Sequence, residues 1–158
     1  IVNFANKGRF NLMFVGSSRS MFSNNETGGR AKYFFDDVKC TVGVLVDRGF
    51  QKINHMLIII DKPSDLFLCN LGKQFLLKPD SVVTIWDQQN HLQKNEFLDG
   101  LITEENKSQI KRIDANATES VSVESHELII VSLEHWNKLK KQRADWLNYS
   151  PSILIVNK

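Results

Sequence analysis

Gly16, Ser17, Ser18, Arg19 and Ser20 form the first stretch of this chain whose residue types suit a binding site. The stretch follows an apolar run and precedes a segment with helical character, so we expect a strand-to-helix turn. Such a turn directs backbone N–H groups toward an anion, and the helix dipole strengthens the attraction. The guanidinium of Arg19 can also bind a phosphate. Two interpretations stay open: a nucleotide or anion site, and a structural turn, which we favour.

A second candidate is the tripeptide Asp47-Arg48-Gly49, which directly follows another apolar run. Asp47 can close a strand by accepting backbone hydrogen bonds, and Gly49 can adopt a positive φ. Arg48 is expected to be a surface cation. The residue types favour a structural turn over a functional one, and such a turn would fix how the segments on either side of it join.

Motifs for catalysis or metal binding are missing from the sequence. The four histidines have no metal-binding spacing, and the two cysteines match no zinc or redox motif. No Gly-x-Ser-x-Gly elbow is present to supply a nucleophilic serine. We therefore predict neither a catalytic site nor a metal site, and we interpret the cysteines as reduced thiols in a cytosolic setting.

Composition narrows the class of protein further. The chain has 158 residues with 20 basic and 18 acidic side chains, for a net charge of +2. A dedicated nucleic-acid binder would carry a larger and more clustered basic excess, so we predict no nucleic-acid partner. No run of about 20 apolar residues is present, so this segment is not expected to insert into a membrane. The sequence begins at Ile1 without an initiator methionine, and we expect it to be part of a longer polypeptide.

Short apolar runs and amphipathic segments predict the elements that position these residues. The runs are rich in β-branched residues and are apolar throughout, which is typical of strands buried on both faces of a parallel sheet. The predicted strands are Asn11–Val15, Val42–Val46, His55–Ile60, Val82–Trp86, Glu127–Val131 and Ile153–Val156, with a weaker edge strand over Ser108–Ile113. The predicted helices are Arg30–Val38, Asp65–Leu77 capped by Ser64, and Glu134–Leu147. Their alternation predicts an α/β fold, a mostly parallel sheet with flanking helices.

The segments 11–46 and 127–156 repeat one order of elements: strand, loop, helix, strand. Both resemble the closing part of universal-stress-protein-like modules, and Met56–Ser64 resembles the opening strand of such a module, with Asp61 in its usual place. The resemblance implies an adenine nucleotide alpha hydrolase-like fold in tandem modules, the first one partial. Residues 1–50 would be its last third (β-α-β), and residues 51–158 a second, shortened module. Because such modules pair through their last strands, Val42–Val46 should run antiparallel to Ile153–Val156.

ATP-binding proteins of this family carry Gly-x-x-Gly and, nine residues later, Gly followed by Ser or Thr. Here Gly16 is kept, Arg19 replaces the second glycine, and Gly29 and Arg30 follow at the expected spacing. The corresponding loop of the second module, residues 131–135, has no glycine, and Glu134 there would repel phosphate, although Asp61 stands on the adenine side. The resemblance therefore implies a degenerate site with no required cofactor and leaves a nucleotide possible.

The stretch Cys40-Thr-Val-Gly-Val-Leu-Val-Asp-Arg-Gly49 resembles the middle of the cytosolic tail of monovalent cation/proton antiporters, the plant cation/H+ exchangers and fungal potassium/proton antiporters. The resemblance implies a non-catalytic regulatory domain on the cytosolic face of an endomembrane such as the Golgi or endosome, from a fungal source. Its partners would be the membrane transport domain of the same polypeptide and a second copy in a homodimer. A stand-alone stress-type nucleotide-binding protein and an enzyme of the α-hydrolase class are the alternatives.

Overall fold

A computed structural model describes residues 1–8, 10–17, 30–49, 51–94, 102–115 and 121–158. Within these residues the chain forms one seven-stranded sheet with helices on both faces. The strands are β1 (Leu12–Ser17), β2 (Thr41–Val46), β3 (His55–Ile60), β4 (Val82–Asp87), β5 (Ile110–Asp114), β6 (Leu128–Ser132) and β7 (Ser152–Asn157). The α-helices are α1 (Val2–Lys7), α2 (Arg30–Asp37), α3 (Cys69–Phe75) and α4 (Leu133–Lys141). The predicted α/β class with a mostly parallel sheet is confirmed.

The strand order is β1-β2-β7-β6-β3-β4-β5, and every neighbouring pair is parallel except β2 and β7. These two strands run antiparallel, with Val44 opposite Ile155. The predicted antiparallel contact between the two closing strands is therefore confirmed. The weak strand expected near 108–113 is present as β5 at the edge of the sheet.

The same strand–helix–strand arrangement occurs on both sides of the antiparallel contact. On one side β1 lies parallel to β2, and α2 connects them; on the other β6 lies parallel to β7, and α4 connects them. The apolar side chains of α2 and α4 pack on the same face of the sheet, as Phe35 and Trp136 show. The two units are thus related by an approximate two-fold axis through the β2–β7 contact.

Continuous apolar strands fill both faces of the sheet. Ile58, Ile130 and Leu68 belong to the cluster on one face, while Ile59 and Trp136 belong to the cluster on the other. Burying each of the large aliphatic side chains stabilises the fold by about 1.5–3 kcal/mol. The buried central strands therefore hold in place the residues that follow their ends.

Two predicted helices differ from the structure. The segment expected to form one helix over 65–77 is a 3-10 helix at Pro63–Leu68 followed by α3. Its N-terminus is held by the Asp65 carboxylate, and not by Ser64 as predicted. The helix expected over 134–147 ends as α4 at Lys141, because Arg143 takes a positive φ of 51° that no α-helix contains, and a short 3-10 helix follows at Asp145–Asn148.

In the described residues no helix is both long and apolar enough to cross a bilayer.

Candidate functional site

The carboxyl ends of β3 and β6 meet where the strand order reverses. From β3 the chain adds β4 and β5 on one side and then returns to add β6 on the other. Ligands of open α/β sheets bind in the crevice outside the strand ends at such a switch point. A cavity of about 300 Å3 lies here, lined by residues that follow β3, by the first turn of α4 and by the end of β7. This crevice is the candidate functional site of the second half of the chain.

Asp61, predicted on the adenine side, is the first residue after β3 and is already paired. Its carboxylate accepts hydrogen bonds from Lys138 Nζ at 2.7 and 2.9 Å and lies 3.3 Å from His135 Nδ1. Partial burial raises the pKa of Asp61, but the bond from Lys138 and the nearby His135 outweigh it, so the pKa lies below its ordinary value of 3.8. Asp61 is therefore an anion held by α4 and not an open acceptor for a ligand.

His135 lies on α4 and is only 3% exposed. Its backbone N–H donates to the Ser132 hydroxyl, which caps the helix. Burial lowers the pKa of His135, and the opposing field of Asp61 only partly compensates, so the ring is neutral at pH 7. Asp61, Lys138 and His135 thus form one cluster that joins the end of β3 to α4.

Asp65 closes the turn that follows β3. Its side chain is 1% exposed, and Oδ2 accepts from the backbone N–H groups of Asp61 at 3.1 Å and Lys62 at 3.2 Å. These are the N–H groups that a phosphate would need at this strand end. Because a carboxylate of the chain already occupies them, the turn offers neither free donors nor a favourable charge to an anion.

An ion pair crosses the mouth of the crevice. The Lys62 ammonium donates to the Glu134 carboxylate, which stands in the first turn of α4. The hydrogen bond to Glu134 raises the pKa of Lys62, so the Lys62 side chain is charged at pH 7. The helix N-terminus, which attracts anions through its dipole, therefore already carries a negative side chain. The predicted repulsion of phosphate by Glu134 agrees with this placement.

The other candidate loop lies only partly within the described residues. Gly16 and Ser17 end strand β1, and Arg30 begins α2, whereas Ser18, Arg19, Ser20 and Gly29 lie outside the described residues. A Cβ on Gly16 would contact no atom within 4 Å, so space does not require glycine there. Because β2 and β7 are antiparallel, the carboxyl end of β1, where this loop begins, lies at the opposite strand ends of the sheet from Asp61. The structure thus does not bring Gly16 and Ser17, the described part of this loop, together with Asp61.

The tripeptide Asp47-Arg48-Gly49 joins the two halves of the sheet. Asp47 Oδ1 accepts from the Gly49 N–H at 2.8 Å, and Gly49 has a φ of 93°, which confirms the expected positive φ. The Arg48 N–H donates to Ser152 Oγ at 2.8 Å, and the Ser152 hydroxyl lies 3.3 Å from Asp47 Oδ1. These bonds attach the end of β2 to the start of β7.

The Arg48 side chain adds to this attachment. Its Nη1 donates to the carbonyl of Ser150 at 3.2 Å and lies 3.4 Å from that of Asn148. The expectation that Arg48 is merely a surface cation is therefore incomplete, because its guanidinium bonds to the segment that leads into β7. We call Asp47, Arg48, Gly49 and Ser152, with their hydrogen bonds, the junction clasp.

Asp87 is a buried acid that the sequence interpretation missed. It ends β4, is fully buried, and accepts from the N–H groups of His91 at 3.0 Å and Leu92 at 2.7 Å, with Arg112 Nη2 3.7 Å away. An acidic residue directly after an apolar strand, as at Asp61, is the signal that could have identified it. Its bonds to backbone N–H groups indicate that it shapes the turn after β4.

His126 is a second buried histidine, and it lies before the start of β6, whereas His135 follows the end of that strand. Its Nε2 lies 3.0 Å from Thr84 Oγ1, and its Nδ1 lies 3.0 Å from the carbonyl of Ser122. Burial lowers the pKa of His126, and the bond to Ser122 only partly offsets this. The neutral ring suits both contacts, since Nδ1–H donates to the carbonyl and Nε2 accepts from the hydroxyl.

Two further observations bear on function. Within the described ranges, no group of three or more His, Cys, Asp or Glu side chains could hold a metal ion. Comparison of the chain with known protein families, with curated proteins and with solved structures found no match. The likeness to antiporter tails therefore rests on the sequence motifs quoted above.

Proposed function

We propose that this chain is a non-catalytic cytosolic regulatory domain of a monovalent cation/proton antiporter, with potassium as the exchanged cation. Its work is to bias ion exchange by the membrane domain. In this proposal its partners are the transport domain of the same polypeptide and a second copy in a homodimer, at the cytosolic face of an endomembrane such as the Golgi or endosome.

The observation that carries the proposal is the junction clasp. The resemblance to antiporter tails is most specific at Asp47, Arg48 and Gly49. Arg48 and Asp47 hydrogen-bond across the β2–β7 contact, to Ser150 and Ser152, and the Gly49 N–H donates to Asp47. These bonds lie next to the segment 51–54, which leads into β3. A signature with this role suits a protein in which the relative placement of two halves matters.

The state of the crevice supports a role without chemistry. The strand-end N–H groups are occupied by Asp65, Asp61 is paired with Lys138, and Glu134 stands at the start of α4. A phosphate would have to displace each of these interactions and approach two carboxylates. An adenine nucleotide enzyme needs the opposite arrangement, with free backbone donors and a positive environment.

Regulation by such a domain requires two arrangements that the transport domain distinguishes. The junction clasp is the element that would differ, because its hydrogen bonds fix the end of β2 against the start of β7. A change at the clasp would alter the angle between β2 and β7 and would thus tilt one half of the sheet relative to the other. The transport domain would then contact a differently shaped surface.

The direct test is Gly49→Val in a full-length antiporter carrying this domain, expressed in cells that lack the native transporter. We expect altered cation tolerance and organelle pH at normal protein level and location. Gly49→Asn is the matched control, since asparagine tolerates positive φ far better than valine, and it should behave nearly as wild type. Wild-type transport by Gly49→Val at equal abundance would contradict the proposal.

The alternative, a stand-alone nucleotide-binding protein, is favoured by one observation, the cavity of about 300 Å3 at the switch point. Thermal unfolding with and without millimolar ATP distinguishes the two. A nucleotide at 100 times its Kd would stabilise the fold by about 2.7 kcal/mol. We expect no shift in melting temperature, and a clear rise that Arg19→Ala or Asp61→Asn abolishes would support the alternative.

A further inference from the structure

Phe14 is an exposed aromatic side chain on the outermost strand of the sheet. It lies on β1 and is 58% exposed. Its ring lies across Gly43 of β2, so close that a Cβ at Gly43 would be 2.7 Å from it. Leu154 of β7 reaches the same spot. The ring therefore continues the buried cluster to which Leu154 belongs, outward to the free edge.

The internal two-fold axis shows what a residue in this position normally contacts. Phe14 is opposite Gly43 in the β1–β2 register, and Ile130 is opposite Leu154 in the β6–β7 register. When the unit β1-α2-β2 is placed on β6-α4-β7, Gly43 falls on Leu154 and Phe14 falls on Ile130. The two positions are equivalent by symmetry, yet Ile130 is only 1% exposed.

The difference lies in the segment that covers Ile130. Strand β3 pairs in parallel with β6 and places Ile58 opposite Ile130. The 3-10 helix that follows β3 and α3 then pack over the same face through Leu68 and Cys69. In the described residues β1 has no such neighbour, because α1 and α2 pack their apolar residues on the other face.

We propose that the outer edge of β1, together with Phe14, is a docking site for a strand–helix segment of a partner polypeptide. The segment would add an apolar strand parallel to β1 and lay the apolar face of a short helix over Phe14 and Gly43. This inference does not depend on the proposed function, since it rests on the symmetry and the exposure alone.

The sequence of the edge supports pairing with another strand. Charged residues and proline commonly prevent edge strands from pairing, and residues 11–17 contain neither. Six consecutive residues form a regular strand, and in the described part of the chain β2 is the one strand that pairs with it, on one side. The edge is therefore competent for addition of a strand, and the adjacent aromatic ring gives that addition an apolar contact.

A second copy of this chain fits the site less well. Two β1 strands could pair edge to edge, but each copy would bring no helix to the face that exposes Phe14. The segment that covers Ile130 in each copy is committed to its own core. In such a dimer no helix of the described residues would lie over the ring, whereas a strand–helix segment covers both the edge and the ring.

A tethered probe tests the proposal. An extra copy of residues 52–78, the segment that covers Ile130, is joined ahead of Ile1 by a flexible Gly/Ser linker of about 20 residues, which spans about 25 Å on average. Hydrogen exchange of the β1 amides is measured in fused and unfused chains, after light scattering has shown the fused chain to be monomeric. The control probe carries Ile58→Asp in the extra copy only. If the fused chain is not monomeric, the same comparison uses the segment as a free peptide.

We expect the probe to slow exchange of the β1 amides by about tenfold or more, which corresponds to about 1.4 kcal/mol. Phe14→Lys in the recipient should abolish the protection, and Tyr33→Lys, which changes an exposed aromatic residue on α2, should leave it intact. Equal exchange with the intact and control probes would overturn the proposal. So would an unfused chain that forms dimers dissociated by Phe14→Lys, because the occupant would then be a second copy.

Discussion

Replacing Gly49 with valine isolates the backbone conformation of the junction clasp from every other effect of a larger side chain. Gly49 is exposed, has a φ of 93°, and a Cβ there would meet no atom within 4 Å. Gly16 is exposed too, and its Cβ would likewise meet nothing, but its φ is not positive. Valine at the two positions therefore differs in backbone strain and not in crowding.

A residue other than glycine in the positive-φ region costs about 1–3 kcal/mol, and a β-branched side chain lies toward the upper end. Both variants also gain from a less flexible unfolded chain, by about 0.4–1 kcal/mol. We expect Gly49→Val to lower the free energy of unfolding by about 1–3 kcal/mol relative to Gly16→Val. In a chain of this size each kcal/mol lowers Tm by about 2–4 °C.

Urea unfolding followed by circular dichroism measures both variants beside the wild-type protein. Valine at Gly16 lies in a strand, where it is well tolerated, and should leave stability unchanged or raised. A Gly49→Val variant as stable as both Gly16→Val and the wild-type protein would refute the reasoning, because it would show that the clasp relaxes to a negative φ at no cost. A fall in both to the same extent would point instead to the side chains.

Three further predictions concern single groups. The free energy of unfolding should fall as the pH drops from 7.5 to 5.5. His126 and His135 have pKa values below the ordinary 6.5 in the folded protein, so the unfolded chain binds more protons in this range. Urea unfolding at both pH values measures this, and constant stability would contradict it. Cys69 is fully buried, and burial, assisted by the charge of Asp87, raises its pKa to about 12. A thiol reagent should therefore label Cys40 in the folded protein but label Cys69 only after denaturant is added. Labelling of both cysteines at one rate in the folded protein would show that the α3 region opens freely. Ser152→Ala should cost about 0.5–1.5 kcal/mol in urea unfolding, because the Arg48 N–H loses its acceptor, and an unchanged stability would mean that water replaces the hydroxyl.

The arrangement of the sheet could be predicted because its signals are local and strong. The run Met56–Ile60 is apolar at every position and therefore fits a strand covered on both faces, which is where β3 lies. Gly49 could be predicted because a positive φ limits the choice of residue. In both cases one physical constraint dominates the residue types.

The candidate site was less accessible because its contacts depend on tertiary structure. Asp61 is paired with Lys138, 77 positions away, and no sequence spacing encodes that pair. The sequence predicts Asp65 as the first residue of a helix, whereas its carboxylate accepts from the backbone of the turn before that helix. The sequence places His135 in the loop 131–135 and gives it no metal-binding spacing, but the burial that lowers its pKa is visible only in the folded chain. Partners brought together by the sheet are visible only once the strand order is known.

The antiparallel contact between β2 and β7 also sets the order of events during synthesis. The two strands are about 110 residues apart, so β2 leaves the ribosome long before its partner. At about 5–20 residues per second that delay is roughly 5–20 s. During this delay the side of β2 that later pairs with β7 has no partner strand, and its apolar side chains stay partly exposed. Within this segment the nascent chain therefore carries its greatest aggregation risk at β1 and β2, and that risk lasts until β7 is in place.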